Sequence, residues 1–191
     1  MRIFNRLLRL QAHFMKRSIC RCLLALCLAF GLSISHSMAK ADNILEYQVK
    51  AAFIYNFIAF TQWPDTTGSA INLCVYGEDY FGSEIDKLQN KPVDKRHIRV
   101  VRTAIPEKLV DCQVIFFSKS VIGSLPNFLS NLPARPILTL ADSPDAITHG
   151  IMINMNLVNE KIVFEINLEI ARKSKLDISS KLLQLAVKVH Q

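Results

Sequence analysis

The chain lacks the short motifs that mark the common enzyme classes. It has no Gly-x-Ser-x-Gly elbow, no His-Glu-x-x-His pair and no Gly-x-x-x-x-Gly-Lys phosphate loop. Beyond residue 41 its histidines are His97, His149 and His190, which lie far apart and lack the spacing of metal ligands. We therefore expect a protein that is not an enzyme and that has no catalytic residue, no cofactor and no metal site.

The sequence also lacks an apolar run long enough to cross a bilayer. The run from Leu23 to Ile34 is shorter than the about twenty residues that a membrane-spanning helix needs. A basic segment from Arg2 to Arg21 precedes it, and Ala39-Lys40-Ala41 follows it, which is the arrangement of a secretory signal peptide. We predict a cleaved signal peptide over residues 1–41 and one exported domain over residues 42–191. A later start codon, cleavage two residues earlier and an uncleaved N-terminal anchor are the alternatives.

Residues 42–191 have no excess of positive charge. The chain has 23 Lys and Arg and 16 Asp and Glu, but seven of the basic residues and none of the acidic ones lie in residues 1–41. The remainder therefore carries 16 basic and 16 acidic side chains. A DNA- or RNA-binding domain normally shows a basic excess, so we expect no nucleic-acid partner.

Cysteine is scarce outside the predicted signal peptide. Of five cysteines only Cys74 and Cys112 lie beyond residue 41. An even number of cysteines in an exported protein favours a disulfide, with two buried free thiols as the alternative.

Short apolar strands alternate with helices along the predicted domain. The predicted strands cover residues 71–76, 97–102, 112–117, 136–140, 150–156 and 161–166. The predicted helices cover residues 43–61, 80–88, 105–110, 118–129, 142–147, 168–173 and 179–189. This alternation indicates a three-layer α/β fold, with a mainly parallel sheet flanked by helices on both faces and a late β-hairpin at its edge. A Cys74–Cys112 bond would make the first and third strands neighbours and would favour the strand order 2-1-3-4.

Gly77 and Gly82 flank a strand-to-helix turn, a place where such folds bind ligands, but their spacing favours a plain tight turn.

The helix over residues 43–61 is apolar on two sides. Asp42 or Asn43 is its expected N-cap, and Pro64 ends it. One apolar stripe consists of Val49, Phe53, Phe57 and Phe60. The other, on roughly the opposite side, consists of Ile44, Tyr47, Ala51, Ile54, Tyr55 and Ile58. A helix apolar nearly all round is either buried on both faces or meets a partner, and the sequence leaves open which stripe faces inward.

Several short pieces of the chain, in order, resemble the YfiR family of periplasmic proteins. They are Glu46-Tyr-Gln-Val-Lys-Ala-Ala-Phe-Ile-Tyr-Asn-Phe57, Trp63-Pro64, Leu73-Cys-Val-Tyr-Gly77, Phe164-Glu-Ile-Asn-Leu168, Ala171-Arg172 and Ile178-Ser-Ser-Lys-Leu-Leu183. The resemblance covers essentially the whole predicted domain.

The resemblance implies a periplasmic α/β protein that forms homodimers and binds the periplasmic domain of an inner-membrane diguanylate cyclase. Such a protein represses the cyclase, lowers cyclic di-GMP and restrains biofilm formation. Cys74 and Cys112 match one disulfide of the family. A second cysteine pair of well-known members is missing around residues 149–153, so the remaining bridge is expected to be structural.

A repressor of this kind needs an apolar surface that it offers to a partner, and aromatic side chains carry much of the binding energy of interfaces. We expect Phe53, Phe57, Phe60 and Trp63 to bind the partner, with core packing as the alternative for each.

A second group of residues is a candidate ligand site beside the helix start at Ser179. Asn167, Arg172, Ser180 and Lys181 would bind a small anion or nucleotide there, with plain helix capping and solvated basic side chains as the alternative. A periplasmic small-molecule sensor that feeds a histidine kinase or a transporter is the competing function.

Overall fold

The computed structural model describes residues 44–191, and the predicted signal peptide and N-cap lie outside the described residues. Helix α1 covers residues 44–59. The later helices are α2 (Leu125–Ser130), α3 (Leu168–Lys173) and α4 (Ser180–Leu185). Short 3-10 helices cover Asp65–Thr67, Gly82–Leu88, Pro106–Asp111 and Lys119–Ser124. Within residues 44–191, no helix is both long and apolar enough to cross a membrane.

Ten strands follow α1. They are β1 (Thr61–Gln62), β2 (Ala70–Tyr76), β3 (Pro92–Val93), β4 (Arg96–Thr103), β5 (Val114–Phe117), β6 (Leu138–Ala141), β7 (Ile153–Val158), β8 (Lys161–Asn167), β9 (Asp177–Ile178) and β10 (Lys188–His190). Eight of them form one sheet in the order β10-β8-β7-β6-β5-β2-β4-β3, and β1 pairs with β9 separately. The run β4-β2-β5-β6-β7 is parallel throughout. The predicted mainly parallel sheet and its 2-1-3-4 order are therefore confirmed.

The late hairpin is present but is not the edge of the sheet. Strands β7 and β8 are antiparallel and are joined by Asn159 and Glu160, both of which have positive φ, as a two-residue type I′ turn requires. Beyond β8, the short strand β10 adds in parallel and forms the outer edge. The prediction of one helix over residues 179–189 was thus wrong at its end. After Leu185 the chain extends, and residues 188–190 pair with residues 165–167 instead of continuing α4.

Two other predicted helices differ in the structure. Residues 142–147 form turns rather than a helix. Pro126 does not interrupt a helix but stands in the first turn of α2, where its missing N–H leaves no hydrogen bond unmade.

The two faces of the sheet bury different side chains, because successive residues of a strand point to opposite faces. The core on the α1 side includes Leu73, Val75, Val114, Phe116, Leu138 and Leu140. The core on the opposite side, under α2 and the 3-10 helix Pro106–Asp111, includes Cys74, Tyr76, Ile115, Phe117 and Ala141. The expected arrangement of three layers follows from this alternation.

A disulfide joins Cys74 in β2 to Cys112, two residues before β5. The two Cα atoms are 5.9 Å apart, and both cysteines are buried in the second core. The predicted bond is confirmed, and it links neighbouring parallel strands.

Candidate functional site

Helix α1 packs on the sheet with one stripe of its apolar side chains. Tyr47, Ala51, Ile54 and Ile58 are buried, as is Phe57 from the other stripe. Of that other stripe, Val49 is exposed and Phe53 and Phe60 are half-buried. The stripe that contains Tyr47 and Ile54 therefore faces inward, which answers the question left open by the sequence.

The second half of α1 is held by aromatic packing. The Phe57 ring lies 4.9 Å from the Phe164 ring of β8, edge to face. The Phe53 ring lies 5.6 Å from the same Phe164 ring and 5.9 Å from Phe57. Three rings at such separations contribute about 0.5–1.5 kcal/mol per pair beyond the area they bury.

The first half of α1 is held by buried charges instead. The Lys50 side chain is almost fully buried, and its ammonium lies 2.5 Å from Oδ2 of Asp142, the residue that follows β6. The same ammonium contacts the Glu46 carboxylate one turn earlier. The Tyr47 hydroxyl donates to Asp142 Oδ2 at 2.9 Å, and the half-exposed Lys119 brings its ammonium to 3.8 Å from that oxygen. These five residues are called the ionic cluster below.

Burial governs the electrostatics of the ionic cluster. Desolvation raises the pKa of Tyr47 far above its ordinary value, and the negative charge of Asp142 raises it further. The Tyr47 hydroxyl therefore stays protonated and remains a hydrogen-bond donor at any physiological pH. Two lysines face two carboxylates here, so the cluster balances its own charge and has no excess for an outside ion.

The solvent-facing side of α1 carries no charged side chain over residues 45–59. Its exposed residues are Leu45, Gln48, Val49, Ala52, Asn56 and Ala59, with Phe53 and Phe60 half-buried beside them. We call the six exposed residues the outer face of α1. A surface helix normally turns its charged residues to water. In α1 the charged residues, Glu46 and Lys50, both turn toward Asp142, which leaves the outer face uncharged.

The end of α1 is fixed by hydrogen bonds to its last carbonyls. The Thr61 hydroxyl donates to Phe57 O at 2.7 Å, and Trp63 Nε1 donates to Ile58 O at 3.0 Å. The Ser179 N–H donates to Phe60 O at 2.9 Å, beside the β1–β9 ladder. Trp63 thus acts partly as a side-chain cap, which satisfies a carbonyl that the helix leaves unpaired.

The predicted partner-binding residues divide between the core and the surface. Phe57 is fully buried and cannot contact a partner in this structure, so for Phe57 the core alternative replaces the interface prediction. The physical reason is that Phe57 fills the space above Phe164, which the sequence pattern alone does not show. Phe53, Phe60 and Trp63 are half-buried and border the outer face of α1 or its end.

The predicted ligand residues near Ser179 have other roles or none. The Asn167 side chain caps α3 by accepting from Ile170 N at 3.0 Å. Arg172, Ser180 and Lys181 are exposed, and no hydrogen bond within residues 44–191 connects them to Asn167. The expected capping of α4 by Ser179 is also absent, because its hydroxyl forms no hydrogen bond to the first turn. The structure thus gives no observation that favours an anion site at these residues.

The switch point of the sheet, between β2 and β5, is closed. Gly77 has φ +97°, and a Cβ there would lie 2.4 Å from the Ser118 hydroxyl oxygen. The Ser118 and Ser120 hydroxyls are 2.8 Å apart, and Glu78 N donates to Ser120 Oγ at 2.9 Å. This close approach is that of a tight turn, as its glycine spacing predicts. Among the described residues, no cluster of three His, Cys, Asp or Glu side chains is arranged to hold a metal ion.

Sequence reasoning missed the ionic cluster. Glu46 and Lys50 are four residues apart, a spacing that is usually typical of a solvated helix face. The signal that could have revealed Lys50 is its position on α1, since at about 100° per residue it falls between the buried Phe57 and Ile54, whereas Glu46 falls between Phe53 and Phe57.

Comparisons with known proteins give the family and the fold of the chain. The family model DUF4154, described as YfiR/HmsC-like, matches residues 47–187. No curated protein matches the chain in sequence. Among solved structures, a conserved domain protein from Vibrio cholerae O1 biovar El Tor is similar, with 7% identity, 75% of this chain and 60% of that chain covered, and a TM-score of 0.50.

A second solved structure is an ABC domain from Streptococcus pneumoniae in complex with L-Trp, with 9% identity, 63% of this chain and 55% of that chain covered, and a TM-score of 0.45. The matched region thus spans less than two thirds of each solved chain. At such low identity, the Vibrio structure shows the α/β fold alone.

Proposed function

Because the chain belongs to the YfiR/HmsC-like family, we propose that it is an exported regulatory protein that represses an inner-membrane diguanylate cyclase. It acts by binding the periplasmic sensor domain of the cyclase and has no enzymatic activity of its own. Repression lowers cyclic di-GMP and so restrains biofilm formation. A homodimer is the proposed form of the protein, as the family resemblance implies.

The observation that carries this proposal is the uncharged outer face of α1. Six exposed residues on one helix include only two polar ones, Gln48 and Asn56, and no charge. Depletion of charge is the compositional mark of the buried centre of a protein interface. The half-buried Phe53 and Phe60 border this face and supply aromatic contact area. We propose the outer face of α1 as the surface that meets the sensor domain.

The test uses a single charge placed in the middle of the outer face. Ala52→Glu puts a carboxylate there without harming the helix, since Glu is a good helix former. We expect the variant to fold normally and to bind the purified periplasmic sensor domain of the partner cyclase at least about tenfold more weakly, because the new charge is buried without a partner. Calorimetry measures the affinity, and cyclic di-GMP is quantified in a deletion strain that carries each variant.

Leu157→Glu is the matched control. Leu157 is an exposed apolar residue on the β7–β8 hairpin, so the same kind of change falls on another surface. It is expected to bind and to repress like the wild type. Equal binding by Ala52→Glu and the wild type would rule out the outer face of α1 as the docking surface. An unchanged cyclic di-GMP level after deletion would contradict repression itself and favour the small-molecule sensor.

A further inference from the structure

A cavity of about 360 Å³ lies beside strand β6. It is lined by the end of α2, residues of the segment 132–137, strand β6, the segment just before β7 and the end of α3 with the two residues that follow it. A volume of this size is within the range of pockets that bind small molecules.

The floor of the cavity is aliphatic. Leu129, Ile137, Met152 and Ile170 line it, and Ile137 and Met152 are almost fully buried. Gly150 lies between two of these walls, since a Cβ on it would be 3.2 Å from Leu129 Cδ1 and 4.0 Å from Ile170 Cδ1. None of the described lining residues is aromatic, so the surface suits a flexible alkyl chain rather than a stacked ring.

The rim of the cavity is basic. Arg135, Lys173 and Lys175 line it, and none of its described lining residues is acidic. Lys173 lies 2.6 Å from the exposed carboxylate of Glu169, whereas no ion pair to Arg135 or Lys175 forms within residues 44–191. The rim therefore carries an excess of positive charge beside an apolar floor.

Arg135 is the most constrained of the three. Its Nη2 donates to Cys112 O at 2.9 Å and to Val110 O, while its Nε is buried and has no partner in the described part of the chain. Burial lowers the pKa of Arg135 below its ordinary value, because the cation has lost much of its water. A cation in this condition gains more from an added anion than a fully hydrated one does.

We propose that this cavity binds a small aliphatic carboxylate, with its alkyl chain on the Leu129–Ile170 floor and its carboxylate at the rim near Arg135 and Lys175. The aliphatic floor and the unbalanced positive rim together select an anion with an apolar tail. This binding goes beyond the proposed repression and does not depend on it.

The experiment compares three probes that separate the tail from the charge. Octanoate carries both, 1-octanol carries the tail alone and acetate the charge alone, and octanoate is used as a dissolved monomer so that no bilayer is involved. We expect octanoate to bind more tightly than either. In the series from butanoate to octanoate, each added CH₂ is expected to improve the affinity by up to about fourfold until the cavity is full. Calorimetry measures affinity, and amide shifts of Thr139, Gly150 and Ile170 locate the bound probe.

Two variants test the cavity itself. Lys175→Asn removes a rim charge and tolerates the positive φ of that position, and it is expected to weaken octanoate but not 1-octanol binding. Ile170→Phe fills the floor and is expected to abolish both. Lys87→Gln is the control, because Lys87, like Lys175, is an exposed lysine but does not line the cavity, so that the same positive charge is lost elsewhere.

The proposal fails if octanoate binds no better than 1-octanol, or if the shifted amides lie outside the cavity. It also fails if Lys175→Asn and Lys87→Gln weaken octanoate equally. Thermal unfolding of each variant tests whether it is folded. If Ile170→Phe does not fold, the test rests on Lys175→Asn, which changes an exposed residue.

Discussion

The two halves of α1 are attached to the same sheet by different forces. The first half is held by the ionic cluster, in which Lys50 and Asp142 are buried together. The second half is held by rings, with Phe57 packed on Phe164. Aromatic packing is tolerant of small shifts, whereas a buried ion pair is satisfied in only one arrangement. The comparison suggests that the ionic cluster fixes the rotation of α1 about its own axis, and that this rotation is what leaves its outer face uncharged.

The largest effect is expected in the aromatic half. Phe57→Ala removes a fully buried ring and leaves a cavity above Phe164, which should lower the free energy of unfolding by about 4 kcal/mol. Urea denaturation measures the loss. Phe53→Ala is the companion variant, and it should cost clearly less because Phe53 is half-buried. Equal losses in the two variants would mean that burial does not distinguish the two rings.

A somewhat smaller effect is expected in the ionic half. Lys50→Met nearly keeps the length of the side chain but leaves Asp142 buried without its closest cation. We expect the free energy of unfolding to fall by about 3 kcal/mol. Tyr47 and Lys119 still contact or approach Asp142, and they limit the loss. The double variant Lys50→Met and Asp142→Leu removes both charges and should recover most of the stability. If the double variant is as unstable as the sum of the single ones, the two charges do not act as a pair.

The smallest effect concerns pH and distinguishes the two halves directly. The pKa of Tyr47 is raised on folding, so its contribution is fully present below the ordinary pKa of tyrosine and is lost as the pH rises above it. From pH 10 to pH 11 the unfolding free energy should fall by about 1 kcal/mol on account of Tyr47.

Tyr47→Phe should remove that part of the fall, whereas Phe57→Ala should keep it. Denaturation curves at both pH values measure the difference. Tyr76 and Tyr80 also have raised pKa values, so the comparison is made between variants rather than from the wild type alone. A Tyr47→Phe variant with the full wild-type fall would contradict the role of Tyr47.

The sheet could be predicted from the sequence because its information is local. Apolar runs of four to eight residues between turns identify buried strands, and the Cys74–Cys112 pair adds one long-range constraint that fixes the strand order. Strand β10 was missed because residues 188–190 become a strand only through pairing with β8. Local propensity does not contain that partner.

The surface of α1 was harder to predict than its existence. Helical periodicity places Phe53, Phe57 and Phe60 on one stripe, yet Phe57 turns out to be buried while the other two are half-buried. Which of the three rings is buried depends on how α1 is rotated about its axis. In that rotation Lys50 contacts Asp142, which is 92 residues away in the chain. No pattern within the helix reports a partner at that distance.

The disulfide has a consequence for how the sheet is reached from the unfolded chain. Strands β2 and β5 are neighbours in space, but β3 and β4 lie between them in the sequence, and Cys74 and Cys112 are separated by 38 positions. In the oxidised chain this loop is closed before folding begins, a restriction of the unfolded ensemble equivalent to about 4 kcal/mol in the chain-entropy model. The pairing of strands that are distant in sequence is the slow step in forming a parallel sheet. The disulfide brings two such strands together at the centre of this sheet before they pair. In a chain that is already oxidised, the first long-range contact of the fold is thus a covalent bond.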